Sequence, residues 1–104
     1  MSYSFITEGI KKRLLHNHEN TDFALESIAK KPVVVKYFNP RGRGDWWGYS
    51  MDDEGYMYGI ADIFEAEYGS FHIEELRQNK IERDMYYTGP KTFDEVIIER
   101  KYGG

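Results

Sequence analysis

Arginine spaced by glycine and followed by tryptophan is the first chemistry this sequence offers. In Asn39-Pro40-Arg41-Gly42-Arg43-Gly44-Asp45 the glycines let a backbone come close to a ligand, and each guanidinium can fork onto a phosphate. Trp46-Trp47 follows at once. With Lys36 upstream, the set Lys36, Arg41, Arg43 and Trp46 is a vocabulary for binding nucleic acid. The same stretch also reads as a long hairpin loop made of turn formers. Arg43-Gly44-Asp45 spells an integrin ligand, which in a cysteine-free chain without a leader we read as coincidence.

A second grouping is acidic and aromatic. Asp52-Asp53-Glu54-Gly55 is a turn between two strands, and Tyr56 and Tyr58 follow it. Tyrosine and tryptophan are favoured anchors at protein interfaces. Trp46, Asp52, Asp53, Glu54, Tyr56 and Tyr58 therefore form a candidate contact surface for another protein. The histidines are weaker signals. His16 and His18 lack a third ligand at motif spacing and read as a solvated loop. His72 with Glu65 or Glu67 offers acid–base chemistry, yet its position, with Glu75 three residues on, is that of a helix N-cap. There is no phosphate loop, nucleophile elbow or metal-binding repeat, so no enzyme, metal or cofactor is expected.

These side chains need elements to hold them. The run from Val33 to Pro40 reads as a buried central strand: three β-branched residues and two aromatics between Pro32 and Asn39-Pro40. Ile6 to Leu15 reads as a first helix capped by Thr7, with His16-Asn17-His18 breaking it. Thr21 to Lys30 reads as a second helix with Phe23, Leu25 and Ile28 on its apolar side. Trp46 to Met51 and Tyr56 to Ala61 make a hairpin. Strict alternation puts Trp47, Tyr49 and Met51 on one face and Trp46, Gly48 and Ser50 on the other, joined there by Met57, Gly59 and Ala61. The Gly48/Ser50/Gly59/Ala61 face is a shallow groove that either a helix fills or an outside partner does, with Trp46 as its wall. Tyr68 to His72 is a fourth strand, followed by a brief helix. Ile81 to Tyr87 leads into a last edge strand, in which Arg83 brackets Glu82 and Asp84. Thr88-Gly89-Pro90 is a break, Thr92-Phe93-Asp94-Glu95 is a capping box opening a final helix, and Tyr102-Gly103-Gly104 is a frayed end. The fold class is α+β: a small antiparallel sheet of four to five strands with N-terminal helices and a C-terminal helix.

At 104 residues the chain, 1–104, is one domain. With no cysteine, disulfides and thiolate metal sites are excluded, and a reducing cytosol fits. Met1-Ser2-Tyr3-Ser4-Phe5 shows no secretory pattern, and no apolar run approaches the roughly 20 residues of a membrane span. The net charge of −4 hides an asymmetry. Residues 1–50 carry eight Lys/Arg against five Asp/Glu, and the remainder six against thirteen. Such a split suits a molecule with a basic and an acidic face, and an acidic face repels nucleic acid.

The order of motifs resembles the domain of unknown function 2958 family of small bacterial, plasmid and phage proteins. The matching pieces are Phe5-Ile6-Thr7-Glu8, Val35-Lys36-Tyr37-Phe38-Asn39-Pro40, Trp46-Trp47 and Tyr58-Gly59-Ile60. More specific are the stretch from Glu67 to Leu76 and Ile81-Glu82-Arg83-Asp84-Met85. Tyr68 and His72 depart from the family's leucine and serine. The resemblance implies a cytoplasmic protein of a mobile element, from a setting of genes that modulate a host, and brings no catalytic residues. The expectation is a non-enzymatic protein that binds and inhibits or regulates a host or defence protein. The alternatives are nucleic-acid binding through the Arg41–Trp46 loop and an enzyme of unknown class.

Overall fold

Asp52 closes the turn that starts the sheet. Its Oδ1 accepts the N–H groups of Glu54 at 2.9 Å and Tyr56 at 3.0 Å, and Gly55 takes the left-handed conformation (φ +96°) the turn needs. In the computed structural model, which describes residues 4–87 and 89–103 but not the side chains of Leu25 and Glu26, this turn joins β3 (Asp45–Met51) to β4 (Tyr56–Asp62). The readings made for Met1 to Tyr3, Thr88, Gly104 and the Leu25 side chain lie outside the described residues. The other elements are α1 (Glu8–Asn20), α2 (Leu25–Ile28), β1 (Pro32–Val33), β2 (Val35–Phe38), β5 (Ala66–His72), α3 (Ile73–Gln78), β6 (Glu82–Arg83), β7 (Lys91–Thr92) and α4 (Phe93–Ile98). A π-helical turn, Glu99–Gly103, continues α4. Five strands pair antiparallel in the order β5-β4-β3-β2-β6, and β1 pairs with β7 in a separate ladder.

The α+β class holds, with helices on both faces of the sheet, but two details of the sheet differ from the expectation. The run from Val33 to Pro40 is not one central strand. It breaks at Val34, whose N–H donates to Gly48 O at 2.8 Å, and β3 is the middle strand instead. The break sends Val33 to one core and Val35 and Tyr37 to the other, whereas an unbroken strand would keep all three on one side. The second difference is a bulge in β3 between Gly48 and Ser50. Ser50 pairs with Tyr58 and Met51 with Met57, so Met51 joins the Trp46 side, and Ser50 leaves the small-residue face.

That face is covered. Leu14 of α1 packs onto it with Trp46, Val35, Met57 and, from α3, Ile73 and Leu76. A Cβ on Gly48 would lie 2.9 Å from Met57 Sδ and 3.1 Å from Val35 Cγ1, so α1 and the sheet close over a space without a side chain. Trp46 is 8% exposed and belongs to this core, not to an open groove wall. The opposite face packs Trp47, Tyr49 and Ile60 against Phe93 and Val96 of α4 and Ile28 of α2. Phe93 sits at its centre, 5.0 Å from the Tyr68 ring and 5.6 Å from Tyr49.

Helix lengths also shift. Thr7 caps α1 by accepting Ile10 N–H at 3.1 Å, as expected, but the helix runs on through His16-Asn17-His18 to Asn20. Asn17 Nδ2 donates to Tyr49 O at 2.8 Å, so the residue that reads as a breaker satisfies the carbonyl at the bulge. The second helix shrinks to the single turn of α2, where Asp22 Oδ1 accepts Ala24 N–H in a local turn.

Candidate protein-interaction surface

The predicted contact residues do not form one patch. Trp46 is in the α1-side core, while Tyr58 is half-buried on the opposite face and stacks on Phe93 at 6.0 Å. Asp52 is spent on its turn. The Tyr56 N–H above all, opposed by desolvation and aided by the Glu54 and Gly55 N–H groups and the charge of His18, holds its carboxyl below the ordinary carboxylate range. Asp53 and Glu54 are exposed, and Tyr56, 53% exposed, meets the His72 ring edge-on at 4.6 Å. His72 is structural. Its Nδ1 accepts Glu74 N–H at 3.0 Å as the N-cap of α3, and Nε2 donates to Glu54 O at 2.7 Å. His16 and His18 lie two positions apart on α1, so they point to different sides of the helix. Among the described residues no group of three or more His, Asp or Glu could hold a metal ion.

The arginine loop is also committed internally. Arg41 donates to Lys80 O at 3.0 Å and to Asn79 O, fastening the loop to the end of α3. Lys36 lies 3.9 Å from Asp45 and 3.7 Å from Asp84. With Trp46 buried, Arg43 alone of the four keeps an exposed and uncommitted head among the described contacts. Arg83 donates to Ser4 O at 2.7 Å, tying β6 to the N-terminal segment.

What the structure does assemble is a row of charges across the sheet end where β2, β3 and β4 meet the C-terminus. Asp45 and Asp62 are direct cross-strand partners. Arg100 bridges them, with Nη2 2.6 Å from Asp45 and Nε 2.6 Å from Asp62. Lys36 and Asp84 extend the row. Lys36 and Arg100 both lie 5.4 Å from the Trp47 ring centroid. Burial opposes the Arg100 charge, but its hydrogen bonds and proximity to Asp62 and Asp45 outweigh that and raise its pKa. Sequence reading passed over Asp45, Asp62 and Arg100. The hairpin register alone could have paired the two aspartates, and a cation is the natural resolution of such a pair.

Two clefts flank this row and share Phe38 and Asp45. Their combined lining carries four cations (Lys36, Arg43, Arg83, Arg100) and four acids (Asp45, Asp62, Glu82, Asp84), so the floor is neutral. Ile63 and Phe64 rise on one side, and Met85 and Tyr86 on the other. Phe64 is 87% and Tyr86 89% exposed. A separate open cleft of about 680 Å³ lies between α1, the segment Lys31–Val34, and Tyr87, Gly89 and Pro90. Lys12, Arg13, His16 and Lys31 line it, and no acid does. Tyr87, whose hydroxyl burial pushes above its ordinary pKa, stays neutral there and donates to Val33 O at 3.0 Å.

Fold and site define a small α+β protein whose described concavities are open surface clefts, among them the neutral, apolar-flanked pair at the sheet end and the basic one beside α1. The chain belongs to the family described as Protein of unknown function (DUF2958), whose model matches residues 5–99. No curated protein and no solved structure matches it significantly. No helix among the described residues is long and apolar enough to cross a membrane.

Proposed function

We propose that this protein is a non-enzymatic binding protein that docks on another protein, and that it inhibits or regulates a host or defence protein as a mobile-element product of the cytoplasm. The observation that carries the reading is the sheet end around Asp45. Four large apolar side chains stand exposed beside a floor whose four cations and four acids sum to zero. Exposed apolar side chains flanking a polar floor favour a protein partner, and a floor without net charge offers a phosphate backbone little beyond the Arg43 head. The docking surface is then Ile63, Phe64, Met85 and Tyr86. The acidic turn at Asp53 and Glu54 lies at the other end of the β3–β4 hairpin.

The test is affinity capture from a bacterial lysate, with and without nuclease, using wild type, a Phe64→Asp/Tyr86→Asp variant and an Asp53→Lys/Glu54→Lys variant. The expected result is a stoichiometric protein that survives nuclease, is lost with the first variant and is kept with the second. Retention by the first variant overturns the placement. Absence of any nuclease-resistant protein overturns the function.

The basic cleft favours a second reading, nucleic-acid binding, at Lys12, Arg13 and Lys31 instead of the Arg41–Trp46 loop. Among the described contacts none of these three cations meets an acid, whereas Lys30, Lys91 and Lys101 each do. Anisotropy of a labelled single-stranded oligonucleotide is then expected to fall steeply with salt and to vanish in the triple alanine variant. A flat salt response counts against it.

A further inference from the structure

β5 is an outer strand of the sheet along its full seven residues. It pairs with β4 at seven consecutive positions, from Tyr56↔His72 to Asp62↔Ala66, without a bulge. No strand lies on its other edge among the described residues. Proteins guard such an edge with lysine, proline, a bulge or a very short strand. The opposite outer strand, β6, is guarded by its two-residue length. Ala66-Glu67-Tyr68-Gly69-Ser70-Phe71-His72 has no lysine and no proline, and Glu67 is its one acid. An unguarded ladder of this length is suited to accept another strand.

We propose that β5 pairs antiparallel with β5 of a second copy of this chain, about a two-fold axis through Gly69. The strand fits a copy of itself in one full-length register. With Gly69 opposite itself, all seven residues find a partner: Tyr68 meets Ser70, Ala66 meets His72, and Glu67 meets Phe71. Shifting the centre toward the N-terminus to residue 67 puts Glu67 opposite Glu67, a like-charge pair that destabilises a ladder. Any other centre leaves strand residues unmatched. Gly69 suits the axis because a Cβ there has nothing within 4 Å, so the sheet face beside the axis is open and a side chain placed at this position meets its two-fold mate and not its own copy. A seven-residue ladder alone falls short of the roughly 800 Å² per partner of a stable interface, so the dimer is reversible and concentration-dependent.

The experiment is sedimentation equilibrium from micromolar to millimolar protein, on wild type, Gly69→Lys, Gly69→Glu and an equimolar mixture of the two variants. The open space at Gly69 lets both variants fold, and circular dichroism checks it. Wild type is expected to show a monomer–dimer equilibrium. Each variant alone places like charges at the axis and is expected to dimerise about fivefold more weakly or worse. The mixture pairs Lys with Glu and is expected to regain wild-type association or better. A wild type monomeric across the range, variants that associate as wild type does, or a mixture no tighter than its components each overturn the proposal. In wild type, the outward amides of residues 66–72 are expected to exchange more slowly as concentration rises. Slowing confined to another surface overturns it as well.

Discussion

Gly48, Gly59 and Gly69 stand side by side across β3, β4 and β5, yet their surroundings demand different things of them. A Cβ on Gly59 would lie 1.8 Å from Trp47 O, 2.9 Å from Trp47 C and 3.1 Å from Gly48 Cα, all backbone atoms of the central strand. Backbone cannot rotate away as a side chain can, so Gly59→Ala must push β3 and β4 apart. We expect it to cost more than about 3 kcal/mol in urea unfolding, against less than about 0.5 kcal/mol for Gly69→Ala. Similar costs for the two would refute the close approach. Asp52 gives a second test at this scale. Its pKa is lowered in the fold, so the stability it confers is present above its unfolded value near 4 and lost as pH falls through the lower, folded one. Asp52→Asn keeps an acceptor oxygen but cannot titrate. The stability gap between wild type and this variant is expected to narrow steadily below about pH 4, as read from thermal midpoints.

Elements written in local chemistry were legible, and those decided by distant contacts were not. Thr92 and Glu95 form the reciprocal cap that the spacing announces, with Thr92 Oγ1 accepting Glu95 N–H at 3.2 Å and Glu95 Oε1 accepting Thr92 N–H at 2.9 Å. Thr7 and His72 cap their helices where the sequence put them. By contrast, His16-Asn17-His18 stays helical because Asn17 reaches Tyr49, a partner 32 residues away that no local window contains. The bulge that moves Met51 and Ser50 across the sheet has no turn residue to mark it, since Gly48 reads equally well as a small strand residue. The same holds for the surface. Turn chemistry exposed the Asp52 hairpin, but that Trp46 is covered and Arg41 tied to α3 depends on the tertiary fold. Because α4 carries Phe93 into the aromatic cluster, its cap also supports packing. Thr92→Ala is expected to cost about 1 kcal/mol in urea unfolding, and Thr92→Ser much less. Equal loss in both would show that the hydroxyl does not act as the cap.

At the scale of the molecule, Arg100 joins the end of the chain to the sheet. Asp45 and Asp62 face each other on β3 and β4, so without a cation between them two carboxylates would repel across a ladder position. Their side chains are 21% and 14% exposed and that of Arg100 is 37%, so water weakens the interaction but does not cancel it. Arg100→Ala is therefore expected to cost about 1–2 kcal/mol near neutral pH at low salt, less than a fully buried charged pair would. Two signs separate lost charge from lost packing. Salt near 1 M screens the exposed repulsion and should shrink the penalty. Acid pH should shrink it too, because protonated carboxyl groups no longer repel each other across the ladder. Asp45→Asn in the Arg100→Ala background should recover part of the loss in urea unfolding. A penalty indifferent to salt, pH and Asp45→Asn would mean that the Arg100 side chain, with its guanidinium over the Trp47 ring, matters by contact alone. The clefts beside Phe64 and Tyr86 would then rest on packing, and their neutral floor would be incidental to the fold.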